Sequence, residues 1–337
     1  MNKVIRLINK VVRHTDWYNN DYWNGVTKFW YNVRFNTDVV NLGSGAAVHA
    51  FSYESVDCKG SNWALAPQSL VHDFNILKNY FSYIREGGVV IITICPFSCL
   101  KSEYGKEHNF KYYTILHPAT IINFDDNERT KALLVKNNPF KHMPAHCLKC
   151  TAKEVAKKAK RMIFTKTEKA SLKTTADSMF NGWMKQFGIS DINAKLSLQH
   201  LEEQKSRRQT LDEMISFCNE RSLNPVVVIP PMHHSLTSQF TTTFIDNYIN
   251  RFLDGVDAPI YNYMCSDDFM SDEDFSSALF LSHKGAKKYT TILIDRLIKD
   301  KVMNVKKLQT GGGNSRVLLI LFDDVLELSN LSFKMAV

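Results

Sequence analysis

A chain of 337 residues with 44% apolar and 12% aromatic residues has an ordinary globular composition and buries enough surface for one large domain or two smaller ones. Seven cysteines without repeated spacing exclude a disulfide framework and fit a reducing, cytoplasmic compartment, while no apolar run approaches the roughly 18 to 20 residues of a membrane-spanning helix. Lys and Arg outnumber Asp and Glu, 42 to 34, and the excess is concentrated between Lys131 and Lys173, where only Glu154 and Glu168 are acidic.

Taken in chain order, the first segment (1–37) opens on MNKVIRLINKVVRH. Val4, Ile5, Ile8, Val11 and Val12 alternate there with Lys3, Arg6, Lys10 and Arg13. This pattern is too interrupted for a secretory leader. It predicts an amphipathic helix packed on its own domain, with peripheral contact to anionic lipid as the alternative. Trp17, Tyr18, Tyr22, Trp23, Phe29, Trp30 and Tyr31 follow, a density of rings that seals a sheet face or an interface more often than it stacks on sugars or bases.

Strand and helix signals then alternate. A short apolar strand spans 38–44 and breaks at Gly43-Ser44-Gly45 before small residues able to open a helix, and a second strand spans 62–66. Helical spacing of Leu70, Phe74, Leu77, Tyr80, Phe81 and Ile84 predicts a helix over 68–85, stopped by Gly87-Gly88. Residues 89–94, VVIITI, read as a strand buried on both faces. The pattern resumes with a helix at 210–221, a strand at 226–229 ended by Pro230-Pro231, a helix near 241–253, a strand at 260–263 and a helix at 284–299. Such alternation predicts an α/β domain over 38–300, its central, mainly parallel sheet covered on both faces.

Between about 100 and 208 the alternation lapses into a basic, partly helical insertion, expected over one sheet edge as a lid. It contains KHMPAHCLKC, in which His142, His146, Cys147 and Cys150 have a zinc-like composition. Pro144 opposes a regular helix presenting both histidines, and adjacent His146 and Cys147 would both have to ligate, so no metal site is assigned. The basic run has no nucleic-acid motif beside it, and no nucleic acid is expected as a partner. A tail, 301–337, contains the Gly311-Gly312-Gly313 joint and an apolar run from Val317 to Phe322.

In parallel sheets, ligands bind where the loops converge at the carboxyl ends of the strands. NLGSG, NWALAPQSL, VVIITICPFS and FLSHKGAKKYT occupy those loops, and in this order and spacing they resemble the SGNH/GDSL hydrolase superfamily. The resemblance is nearest to its divergent bacterial branch associated with cell-surface polysaccharides and extends more distantly to the D-alanine transfer protein of teichoic acid synthesis. It covers about 38–98 and 224–297. It implies a flavodoxin-like, three-layer α/β/α sandwich and a Ser-His-Asp ester hydrolase or acyl transferase, without a cofactor.

Carried over residue by residue, that implication meets four mismatches. The nucleophile's seat, two residues after Gly43, is Gly45. The backbone oxyanion donor, five residues after Asn62, is Pro67, which has no N–H. The aspartate and histidine seats, counted from Gly285-Ala286, are Ser277 and Phe280, and ICPFSCL lacks the third block's asparagine. The expectation is therefore a retained fold with vacated catalytic seats, whose cleft binds a carbohydrate, an acylated glycan or a protein partner, with Asn62, His233 and His234 beside it. Adjacent His233 and His234 are expected to point apart, so that at most one reaches the cleft. Two alternatives stand: an active esterase or O-acetyltransferase using Ser44 and His283, oriented by Asp267, Asp268, Asp272 or Asp274, or a scaffold acting through the basic insertion.

Overall fold

The structure, a computed structural model, describes residues 3–100, 109–163 and 171–304. Five strands form one all-parallel sheet in the order β2-β1-β3-β4-β5: β1 (Thr37–Leu42), β2 (Gly60–Asn62), β3 (Ile84–Thr93), β4 (Asn224–Ile229) and β5 (Ile260–Asn262). The principal helices are α1 (Lys3–Arg13), α2 (Gly45–Ala50), α3 (Leu70–Tyr80), α4 (Asp126–Asn137), α5 (Pro144–Ile163), α6 (Leu172–Gln186), α7 (Leu198–Asn219) and α8 (His283–Lys299). The described residues fall in one compact unit. Among them, no helix is long and apolar enough to cross a membrane.

The two-residue period of a strand sorts the central apolar runs into two cores. Val40, Leu42, Val90, Ile92, Val227 and Ile229 join Leu70, Ile76 and Leu77 of α3 and Leu211, Met214 and Ile215 of α7. Val39, Val89, Ile91, Val226 and Val228 join Ala47 and Ala50 of α2 and Tyr289, Leu293 and Leu297 of α8 on the other face. The fold is thus helix, sheet, helix in three layers, as the alternation predicts.

Boundaries differ from the sequence reading for local reasons. The helix expected over 68–85 ends at Tyr80, and β3 begins at Ile84, before the two glycines. Ile84 pairs with Thr37 and Val89 with Val39, so residues 85–88 bulge opposite Asp38 alone. Gly87 has φ +68°, and a Cβ on Gly88 would lie 2.5 Å from Ile84 Cγ2. The glycines therefore make a bulge inside the strand. The strand expected over 62–66 is assigned to Gly60–Asn62, yet the chain still follows β1, with Trp63 N–H donating to Asn41 O at 2.9 Å and Leu65 N–H to Gly43 O at 3.1 Å.

The insertion carries α4, α5 and α6, and α7 starts at Leu198 rather than near 210. Residues 241–253 form a helical stretch interrupted by a wider turn at Asp246–Asn250. Segment 1–37 packs against the insertion. Asn9 bonds Asn138 at 2.7 Å, Glu154 accepts from Trp17 N–H at 2.9 Å, and the Trp23 and Phe110 rings stack 5.0 Å apart. Pro144 starts α5 instead of breaking it, since the first turn needs no N–H there. His146 Nε2 lies 3.5 Å from Cys150 Sγ on the next turn, while Cys147 is buried. The tail from 305 onward, with its glycine joint, lies outside the described residues.

Gly43 closes β1 with φ +133°, and a Cβ there would stand 2.7 Å from Ala47 Cβ and 3.0 Å from Thr93 Cβ. Gly43→Ala is predicted to destabilise the fold by about 1–3 kcal/mol. Urea unfolding checks this, and an unchanged midpoint would show that the corner tolerates a side chain.

Candidate ligand-binding cleft

In a parallel sheet of order 2-1-3-4-5 the connections leave β1 and β3 toward opposite sides, opening a crevice at their carboxyl ends. A cavity of about 570 Å³ occupies that crevice. Ser44, Gly45, Ala66, Pro67 and Gln68 line it from the loops after β1 and β2, Thr93, Cys95, Phe97 and Leu100 from β3 and its loop, and Met179, Trp183 and Phe187 from α6 and its C-terminal end. Leu279 and Phe280 close it. The wall is mainly apolar, with Asn20, Asn24, Ser69, Ser98, Gln186 and the Asp73 carboxyl as further polar groups. At the floor the Thr93 hydroxyl is buried without a hydrogen-bond partner among the described residues.

Of the four positions counted from the family pattern, three, Gly45, Pro67 and Phe280, line this cavity. Gly45 and Phe280 are in contact, since a Cβ on Gly45 would lie 3.3 Å from the Phe280 ring, and Pro67 lines the same space. Ser277 stands behind Phe280, its Oγ accepting from Phe280 N–H at 3.2 Å. The His49 ring packs on the other side of Phe280, centroids 4.6 Å apart. Phe280 is thus flanked by the Gly45 backbone and the His49 ring.

Ser44 and His283 are not joined. Ser44 Oγ accepts from Gln68 N–H at 3.1 Å. His283 opens α8 at the surface, with Nε2 3.5 Å from Glu54 Oε2. The candidate orienting carboxylates are held elsewhere, Asp272 by His233 at 2.9 Å and Asp274 by Lys288 at 2.8 Å.

Asn62, His233 and His234 do not line the cavity. Asn62 Oδ1 accepts from Asn41 Nδ2 at 2.9 Å and from Ala64 N–H at 3.1 Å, while its Nδ2 donates to Val48 O at 3.1 Å, tying β2 to the end of α2. The His233 and His234 rings, expected to diverge, lie 4.0 Å apart, because His233 caps a short helix rather than continuing an extended chain. Buried His233 straps the loop that carries Phe280: its N–H donates to Ala278 O at 2.9 Å, and its ring joins Asp272 and Ser235. His233, His234 and Asp272 form a cluster of metal-ligating types among the described residues. Both nitrogens of His233 already have protein partners.

Sequence reasoning missed the polar network beneath the cleft. Asp73 of α3 is buried, accepting from Gly43 N–H at 2.8 Å and from the Gln68 amide. Tyr112 Oη donates to Gln68 Oε1 at 3.0 Å, and buried Lys111 donates to Pro67 O at 2.7 Å. The available signal was Asp73 itself, a carboxylate between Leu70 and Leu77 on the buried face of its helix. Burial pushes its pKa up to about 7 against the opposing pull of Gln68 and Gly43. Burial likewise pulls Lys111 down to about 7, and Cys95 is pushed up to about 12 by burial and then by Asp73.

No known protein family and no curated protein matches the sequence. Fold and site define a class, an open parallel α/β sheet with a mainly apolar cleft at its switch point.

Folded, Asp73 keeps its proton to about pH 7, whereas the unfolded chain releases it near 3.8. Between those values the native state holds the extra proton, so this group's contribution to stability falls as pH rises through the window. Asp73→Asn keeps an acceptor for Gly43 N–H and removes the titration. Its urea midpoint is predicted to vary less than wild type between pH 4 and 7, and parallel curves would contradict the assignment.

Proposed function

We propose that the chain is an SGNH/GDSL-like protein whose catalytic seats are vacant and whose cleft binds an acylated carbohydrate of surface-polysaccharide metabolism on the cytoplasmic side without cleaving it. One observation carries the reading: the Phe280 ring lies against Gly45, so the nucleophile and base positions are filled by groups unable to attack or to accept a proton. Ser44, the nearest hydroxyl, is held by the Gln68 N–H, and Pro67 offers no donor where the family uses one.

The cavity's chemistry suits such a ligand. Phe97, Trp183, Phe187 and Leu279 present apolar surface for an acyl chain or a sugar face, and Asn20, Asn24 and Gln186 offer amides to hydroxyls. The unpaired Thr93 hydroxyl at the floor gives a buried ligand oxygen a partner. The scaffold alternative has weaker support, because Lys158 of the basic run is already paired with Glu154 at 2.7 Å and Asp16 at 3.2 Å.

The test is a pair of assays on the full chain. Incubation with p-nitrophenyl acetate and a fluorophosphonate is expected to give neither turnover nor adduct, and calorimetry with O-acetylated oligosaccharides is expected to give saturable binding that Trp183→Ala weakens roughly tenfold. Labelling at Ser44 that disappears in Ser44→Ala would establish the esterase instead.

A further inference from the structure

A second and larger cavity, about 1130 Å³, adjoins the first and shares Asn20, Asn24 and Ala66 with it. One wall is a face of α1. Helical spacing of i, i+4 and i+7 sets Arg6, Lys10 and Arg13 side by side, and His14 follows. Lys28 lines the same cavity. No Asp or Glu is among its lining residues, and no ion pair neutralises Arg6, Lys10, Arg13 or Lys28 among the described residues.

Two of these cations are held in place by hydrogen bonds. Arg13 Nη2 donates to Asn137 O at 2.7 Å and to Lys136 O at 3.1 Å, which pins its guanidinium to the insertion. The half-buried Lys28 ammonium donates to the Ala64 carbonyl, and the charge acting on it is another cation, Lys111. Like charges gathered on a concave wall raise the local positive potential and repel one another until an anion arrives. Guanidinium forks and ammonium groups together match the oxygens of a phosphate.

We propose that this cavity is a binding site for a phosphate ester, its oxygens held between the α1 cations and Lys28. The inference does not rest on the reading of the apolar cleft. A dissolved phosphorylated molecule and a lipid headgroup share this chemistry. The second source has its own feature on α1, where Leu7 and Val11 are 65% and 52% exposed beside the basic face.

Isothermal titration of the full chain with pyrophosphate tests the site. Burial and then Lys111 pull Lys28 down to about 7, so titration at pH 6 and low ionic strength keeps it charged. Saturable binding is expected, weakened roughly tenfold by Lys28→Gln and, separately, by Arg6→Gln with Lys10→Gln, with circular dichroism unchanged. Flotation with vesicles of phosphatidylcholine and phosphatidylglycerol, but not of phosphatidylcholine alone, separates the sources: flotation abolished by Leu7→Glu or by pyrophosphate identifies a headgroup, and its absence alongside pyrophosphate binding identifies a dissolved ligand. The proposal is overturned if wild type binds neither probe, or if the Arg6→Gln, Lys10→Gln variant binds both as wild type does.

Discussion

The packing of the Phe280 ring against the backbone of Gly45 closes one wall of the cleft, and the proposed lack of catalysis depends on it. A Cβ at 45 would stand 3.3 Å from that ring, tight enough that the ring would have to give by a few tenths of an ångström. Both are fixed from behind. Gly43 turns β1 into α2 in a space that admits no Cβ, with its N–H on Asp73, while His233 and Ser277 hold the loop that delivers Phe280. The ring is therefore part of the wall, and the cavity beside it remains open to a ligand.

The sheet was legible because its chemistry is local. Val89, Val90, Ile91 and Ile92 are buried to the last atom, and a run of that kind has few homes other than a central parallel strand. The glycine pair before it was misread because a bulge and a helix stop use the same residues for the same conformational reason. Meeting of Gly45, Pro67 and Phe280 at one cavity was legible too, since strand ends converge by topology. Long-range partners were not. Asn62 reads as a free amide in the sequence, and only the fold reveals that Asn41, Ala64 and Val48 engage it. His233 and His234 diverge on an extended chain, and the helical turn beginning there brings the rings together.

Electrostatics divides the molecule's upper surface into two unlike spaces. At the apolar cleft, Asp73 lines the cavity while bonded to Gly43 N–H and the Gln68 amide, and Lys111 is buried behind it on the Pro67 carbonyl, in one connected network. In the adjoining space Arg6, Lys10 and Arg13 of α1 have no acidic partner among the described residues. The N-terminal helix is thus more than a prop for the insertion it docks on. It sets a basic wall beside a cleft lined mainly by rings and aliphatic chains.

The proposed inertness of the apolar cleft rests on where one hydroxyl and one imidazole are placed. A crystal structure grown with an O-acetylated oligosaccharide measures that directly. It is predicted to show Ser44 Oγ on the Gln68 N–H, His283 beside Glu54, and the Phe280 ring still against Gly45 with the ester intact. Ser44 Oγ within about 3.2 Å of an imidazole nitrogen and aimed at the ester carbon would contradict the account.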